Sequence, residues 1–220
     1  MERALVVGSS GGIGSALASA LEARGVRVTR LSRRIDGMDI SDAGSVERAF
    51  ARLQGPFDLV IVATGILSAE GGTPEKSLSA IAASDMSHLF TVNAVGPALI
   101  LKEVPRFLPK SGRSVVAVLS ARVGSIGDNQ LGGWYSYRAS KAAANQIVRT
   151  AAIEIGRKRK ESIVVALHPG TVATSFTENY PAHRKVSPDR AANNLLGVLD
   201  SLTPEQSGQF FDWKGKEVPW

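Results

Sequence analysis

"VVGSSGGIG", residues 6–14, decides the fold. Val6 and Val7 close a short apolar run that begins at Ala4, and a helix-length segment follows Gly14. Between the two, Gly8, Gly12 and Gly14 stand in the spacing G-x3-G-x-G. Only glycine allows so tight a turn and lets backbone amides approach a pair of phosphates. The helix N-terminus behind the loop adds positive potential. A glycine motif alone is common in turns. One that follows a strand and opens a helix points to dinucleotide binding.

Outward from this loop, β-like apolar runs alternate with helix-length segments. Strands are expected at 4–8, 27–32, 58–64, 114–120 and 162–169, with a last one near "GQFFDW" (208–213). Helices are expected at 12–24, 42–53, about 75–108 with a break, 136–157 and 188–201. Several strands are apolar throughout, which suits parallel strands covered on both faces. Gly25 marks a helix end, and Ser187 with Pro188 marks a helix start. The fold class expected is α/β: a doubly wound, Rossmann-like parallel sheet with helices on both faces. It forms a single domain over 1–220, with a substrate loop at about 175–187. The apolar ending "FFDWKGKEVPW" should tuck Trp220 against the body.

Bulk composition narrows the classes. A chain of 220 residues that is 44% hydrophobic has enough apolar material for one good-sized core. It contains no cysteine, which excludes disulfides, thiolate metal sites and a cysteine nucleophile. The opening "MERALVVGSS" does not read as a signal peptide, and no run approaches the ~20 apolar residues of a membrane span. A cytoplasmic protein without membrane contact is expected. The net charge of +6 could suggest nucleic acid. The basic residues are scattered, however, and "RKRK" (157–160) closes a helix, where cations suit the dipole. No nucleic-acid partner is expected. His168 and His183 are too scattered to suggest a metal site, and none is expected; both are expected to bond locally or sit at the surface.

The end of the second strand selects the dinucleotide. NAD sites place a carboxylate there for the ribose 2′-hydroxyl. Here the chain reads "RLSRR" (30–34), with no carboxylate before Asp36. Ser32 and Arg33 stand in its place, with Arg34 next. A guanidinium fork matches a phosphate, so NADP(H) is the expected cofactor.

"YSYRASK" (135–141) puts Tyr137 and Lys141 four apart, on one face of a helix. An ammonium nearby favours the phenolate and should lower the tyrosine pKa. The pair can then give a proton to a carbonyl oxygen or take one back.

With these motifs in place, the chain resembles the short-chain dehydrogenase/reductases. The matching elements are "GSSGGIG" (8–14), "DIS" (39–41), "ATG" (63–65), "VNAVG" (92–96), "LSARVGS" (119–125), "YRASK" (137–141) and "HPGTVAT" (168–174). They run in order over nearly the whole chain, and are most similar to the carbonyl reductase subgroup that includes sniffer and the C-factor protein. The resemblance implies roles. Tyr137 would be the general acid/base, and Lys141 would hold ribose hydroxyls and tune it. Asn93 would hold a water of the proton relay. The cofactor would meet Gly8, Ser10, Gly12, Ile13 and Gly14 of the loop, then Ser32 and Arg33, then Asp39 and Ile40 at the adenine. Ala63, Thr64 and Gly65 would line it, as would Pro169, Gly170, Val172 and Thr174. The family's habits also imply a homodimer or homotetramer, paired through the helices of Asn93 and Tyr137.

Three departures stand out. Val7 replaces a threonine, and "VATG" (62–65) replaces the usual "NNAG". The family's catalytic serine stands three before the loop glycine, and three before Gly124 is Ala121. Ser120 is one residue early. Three readings stay open: Ser120 re-aimed by a bulge or early turn, Ser125 folding back, or no serine at all. Phe176, Tyr180, Trp134 and Leu131 could form an apolar mouth for a modest aldehyde or ketone. The activity expected is NADPH-dependent carbonyl reduction on a small-molecule substrate, with Ser120 completing the site. The rival is a non-catalytic NADP-binding signalling or sensor protein on the same fold.

Overall fold

β3 (Leu59–Val62) and β4 (Ser114–Leu119) are buried at every residue, because helices cover both faces of the sheet. The computed structural model describes residues 1–69, 72–178 and 185–220. Tyr180, His183 and part of the expected substrate loop lie outside the described residues.

The other strands are β1 (Arg3–Val7), β2 (Arg27–Leu31), β5 (Ser162–His168) and β6 (Phe210–Asp212). All six pair in parallel in the order β2-β1-β3-β4-β5-β6. The chain goes outward from β1 to β2 and then crosses back to β3 on the other side of β1. That reversal makes a crevice at the carboxyl ends of β1 and β3, where open α/β sheets bind ligands.

Alternation along each strand divides the core in two. On one face Leu5, Val60, Val116 and Val164 pack with Phe50 of α3 (Ala43–Ala51), Ile100 of α5 (Gly96–Glu103) and Val148 of α6 (Tyr135–Lys158). On the other Ala4, Leu59, Val115 and Ile163 pack with Leu17 of α1 (Gly12–Ala23) and Leu195 of α7 (Pro188–Ser201). Trp220 closes against the body as expected, its ring stacked on Phe210 at 5.8 Å.

The expected elements form, with differences that have local causes. A short helix, α2 (Arg33–Asp36), follows β2 at once, because the Ser32 side chain caps it by accepting from the Ile35 amide. The segment expected as one broken helix is loop up to α4 (Ala83–Phe90), apart from a single turn at 78–80. After α4 comes a π-helical turn, Thr91–Val95, and then α5. Pro97 sets this irregularity: it carries no N–H, so the Asn93 carbonyl four residues earlier has no α-helical donor. Among the described residues, no helix is long and apolar enough to cross a membrane.

Candidate active site

Crossover helices run antiparallel to the strands they follow. The first turn of α1 and the first turns of α6 therefore both lie at the carboxyl end of the sheet. One cleft of about 840 Å³ opens there, within the usual size of a ligand site. It is lined by the glycine loop, Ala63 to Gly65, Leu119 to Val123, Trp134, Tyr137, Lys141 and the chain from His168 to Thr177.

The glycine loop is tight enough to require its glycines. Gly8 has φ +85°, and a Cβ there would lie 2.7 Å from the Ala63 carbonyl oxygen. A Cβ on Gly14 would lie 2.3 Å from the Gly8 carbonyl oxygen. Gly12 faces Thr174, where a Cβ would meet the Thr174 methyl at 2.5 Å. Ser9 and Gly8 amides both donate to Leu31 O, tying the loop to β2. Gly12, Ile13, Ala63, Thr64, Gly65, Pro169, Gly170, Val172 and Thr174 all line one cleft. Ser10 is exposed on the glycine loop between Gly8 and Gly12. Arg33 and Arg34 are exposed at the start of α2, beside the buried Ser32. Asp39 is held below the usual carboxylate range by its bonds to Ser41, with a lesser contribution from Arg33. Ile40 is buried against Gly96.

Tyr137 and Lys141 are both buried, on the cleft-facing side of α6. Among the described residues, no hydrogen bond reaches the Tyr137 hydroxyl. Lys141 Nζ donates to Leu119 O at 3.1 Å. Burial dominates both groups. It raises the phenol above its ordinary value and lowers the lysine to about 8. This corrects the expectation that the ammonium would lower the tyrosine: in this structure desolvation is the cause that acts on it.

The start of α6 is braced from a distant loop. The Glu75 carboxylate accepts from Ser136 N and Oγ at the open N-terminus, where anions are favoured. Trp134, just before the helix, has φ +56°, uncommon for a bulky residue. Its ring stands edge-on to Tyr137 at 6.2 Å, and Phe176 lies 6.2 Å from Tyr137 on another side. Of the apolar mouth expected from sequence, Trp134 and Phe176 line the cleft. Leu131 does not: it is 91% exposed.

Asn93 is fully buried in the π-helical turn. Its side chain pins the loop after β3: Oδ1 accepts from Ile66 N at 2.8 Å, and Nδ2 donates to Ile66 O at 2.8 Å and Ser140 Oγ at 3.1 Å. These three bonds occupy the side-chain amide. A Cβ on Gly65 would lie 3.1 Å from both Asn93 Oδ1 and Lys141 Nζ, so Asn93, Gly65 and Lys141 adjoin.

The serine question has a geometric answer in two parts. Ser120 lines the cleft, and its Oγ donates to Asn145 Oδ1 of α6 at 2.6 Å. Ser125 Oγ accepts from Asp128 N at 3.0 Å, and Ser125 is not part of the cleft wall. Ala121 is on that wall and brings only a methyl group. Gly124 holds the loop down, since a Cβ there would lie 2.7 Å from Lys141 Cβ.

Two buried polar atoms in the described residues have no partner: Thr64 Oγ1 and His168 Nδ1, both in residues of the cleft wall. Burial lowers His168 to about 4, with Asp212 acting against that and Arg122 with it. His168 was expected only to bond locally or sit at the surface. Its position next to Pro169 and Gly170 was the available signal. Leu67, Val123 and Thr171 also line the cleft; Val123 and Thr171 lie within the quoted motifs but were not singled out, and nothing local marked Leu67. No cluster of metal-ligating side chains occurs among the described residues.

A family model described as enoyl-(acyl carrier protein) reductase matches residues 28–210. The chain belongs to the short-chain dehydrogenase/reductase family. This short-chain dehydrogenase/reductase is 33% identical, over the full length of both chains, to a 1-hydroxy-2-glutathionyl-2-methyl-3-butene dehydrogenase of a Rhodococcus species. It is 38% identical to the C-signal protein of Myxococcus xanthus, across 79% of this chain and 99% of that one. A carbonyl reductase of Pseudomonas aeruginosa in complex with NADP matches along 100% of both chains, with a TM-score of 0.82 and 26% identity. Solved members of the family that resemble this one hold bound NADP or NADPH.

Proposed function

We propose that this short-chain dehydrogenase/reductase is an NADP(H)-dependent enzyme that reduces an aldehyde or ketone to an alcohol, with Tyr137 as proton donor. The observation that carries this reading is the Tyr137 hydroxyl. Tyr137 is a buried residue of the cleft wall, but its hydroxyl is not among the sealed atoms and has no hydrogen-bond partner among the described residues; it stands one helical turn from Lys141, on the same cleft as the glycine loop.

The residues fit the cofactor on structural grounds. The loop of Gly8, Gly12 and Gly14 leaves a cradle that a side chain would fill. Thr64 Oγ1 is a buried donor waiting for an acceptor. Arg33 and Arg34 lie beyond Ser32 at the end of β2, where a 2′-phosphate would sit. NADPH, when bound, supplies the hydride. The chain's own residues supply the rest. Burial keeps Tyr137 protonated at neutral pH, the state a reduction needs. Lys141, mostly charged at neutral pH, favours the phenolate as the proton leaves. The Asn93 carbonyl, without an α-helical donor, is available to hold a relay water beside Lys141. Trp134 and Phe176 keep bulk water from the tyrosine ring. Ser120, on the same cleft wall, spends its hydroxyl hydrogen on Asn145.

NADPH consumption with a panel of aldehydes, ketones and quinones tests the reading. Tyr137→Phe should cut turnover by about 10²- to 10⁴-fold and leave NADPH binding intact. Tight NADPH binding without turnover across the panel would sink the enzyme reading. It would favour a non-catalytic NADP-binding signalling protein, which Ala121 on the cleft wall also suits. We also infer a homodimer or homotetramer, paired through the helices that carry Asn93 and Tyr137, on the family resemblance. A monomer mass by light scattering would refute it.

A further inference from the structure

His168 ends β5, and the β4–β5 register places it next to Ser120. Leu119 pairs with Leu167, and Ser120 N donates to Leu167 O at 2.8 Å. Residues two apart on a strand share a face. Ala166 packs in the core half covered by α6, so His168 points to the α6 side as well. Ser120, bonded to Asn145 of α6, faces the same way. His168 therefore stands at the carboxyl end of the sheet on the side of Tyr137 and Lys141, and it lines the cleft with them.

The imidazole has two edges. Nδ1 is sealed from solvent and has no partner. The residue is half-buried and belongs to the cleft wall, and with Nδ1 sealed the accessible edge of its imidazole is Nε2, which is not among the sealed atoms. A neutral imidazole has one N–H and one lone pair. Sealing an N–H without an acceptor is rarer in proteins than sealing an unused acceptor. The hydrogen therefore belongs on Nε2, facing the cleft. Neither serine hydroxyl of the loop competes for this place: Ser120 gives its hydrogen to Asn145, and Ser125 lies off the wall.

We propose that His168 is a second hydrogen-bond donor of the reaction centre, its Nε2–H holding the substrate's carbonyl oxygen beside the Tyr137 hydroxyl, where position 121 carries only a methyl group. This rests on the carbonyl-reductase reading above. His168 keeps its proton throughout; the proton delivered to the oxygen is that of Tyr137. The bond strengthens as negative charge grows on the oxygen, so its loss falls on kcat more than on KM.

The test is steady-state reduction of one carbonyl substrate by the full chain with NADPH, together with the NADPH Kd. His168→Leu should lower kcat on the order of 10²-fold, with KM and NADPH Kd close to wild type. His168→Gln, whose amide reaches the Nε2 position, should recover most of that loss. His168→Asn, whose amide falls short, should not. If His168→Leu no longer binds NADPH, the Gln and Asn pair decides, and equal kcat in the two overturns the proposal. Undiminished kcat in His168→Leu overturns it alone and leaves the oxidoreductase reading standing. A wild type that reduces nothing on the panel overturns both.

Discussion

The Ser120 hydroxyl donates to Asn145 Oδ1 across 2.6 Å, while Asn145 Nδ2 donates to Gly124 O at 3.4 Å. One amide on α6 thus ties both ends of the loop after β4. Ser120→Ala should leave kcat within a few-fold of wild type. It should cost about 1–3 kcal/mol of stability, because Asn145 Oδ1 is left buried without a donor. Denaturant unfolding and turnover on the same preparation check both. A 100-fold fall in kcat at wild-type stability would return the serine hydroxyl to the reaction centre.

Gly8 carries a different kind of constraint. Its φ of +85° is strained for any residue with a Cβ, and that Cβ would lie 2.7 Å from backbone at Ala63. Backbone cannot step aside as a side chain can. Gly8→Ala should therefore cost more than the ~1 kcal/mol of an ordinary Gly-to-Ala mismatch and weaken NADPH binding together with stability. Melting temperature and NADPH titration read the two effects. Unchanged values in both would mean that the loop is looser than its contacts imply.

Periodicity and glycine spacing made most of the fold legible, because strands buried on both faces read as unbroken apolar runs. Lys141 and Tyr137 were legible as a pair for the same reason: helical spacing is fixed. What the sequence could not show depends on contacts between distant segments. The π-helical turn at Asn93 comes from Pro97 and from a side chain that bonds Ile66, 27 residues away. The direction of Ser120 is set by Asn145, and strand alternation alone left it open. The tyrosine pKa was misjudged because spacing reports the neighbouring charge but not the depth of burial. His168 looked local because its orphaned Nδ1 is visible only once the strands are side by side.

Arg33 gives the cofactor preference its most direct check. It is exposed at the first position of α2, directly after the buried Ser32, and close enough to Asp39 to act on its charge. A guanidinium released from a phosphate forfeits about 1.5–3 kcal/mol, or roughly 10- to 100-fold in affinity. Arg33→Ala should weaken NADPH by that factor and leave NADH almost unchanged. Titrations with the two nucleotides give the ratio. An unaltered NADPH-to-NADH ratio would remove the 2′-phosphate from Arg33.

Lys141 should make stability depend on pH in a defined window. Its folded pKa is about 8, below the 10.5 of an ordinary lysine, because burial penalises the ammonium. Between these values the unfolded chain binds more protons than the folded one, so stability rises with pH. Below 8 both states are charged and the full penalty applies. A shift of this size corresponds to roughly 3 kcal/mol, gained from pH 8 toward 10.5. Tyr137 works the other way: its raised pKa means that above pH 10 the unfolded chain loses the proton first, and stability falls. These two groups together should make the NADP-free protein gain stability as pH rises from 8 toward 10 and stop gaining above it. Lys141→Met should remove the rise and leave the fall above pH 10. Urea unfolding of both proteins at pH 7, 8.5 and 9.5 measures the slope, and a parallel pH profile in the two would show that Lys141 is not a desolvated ammonium.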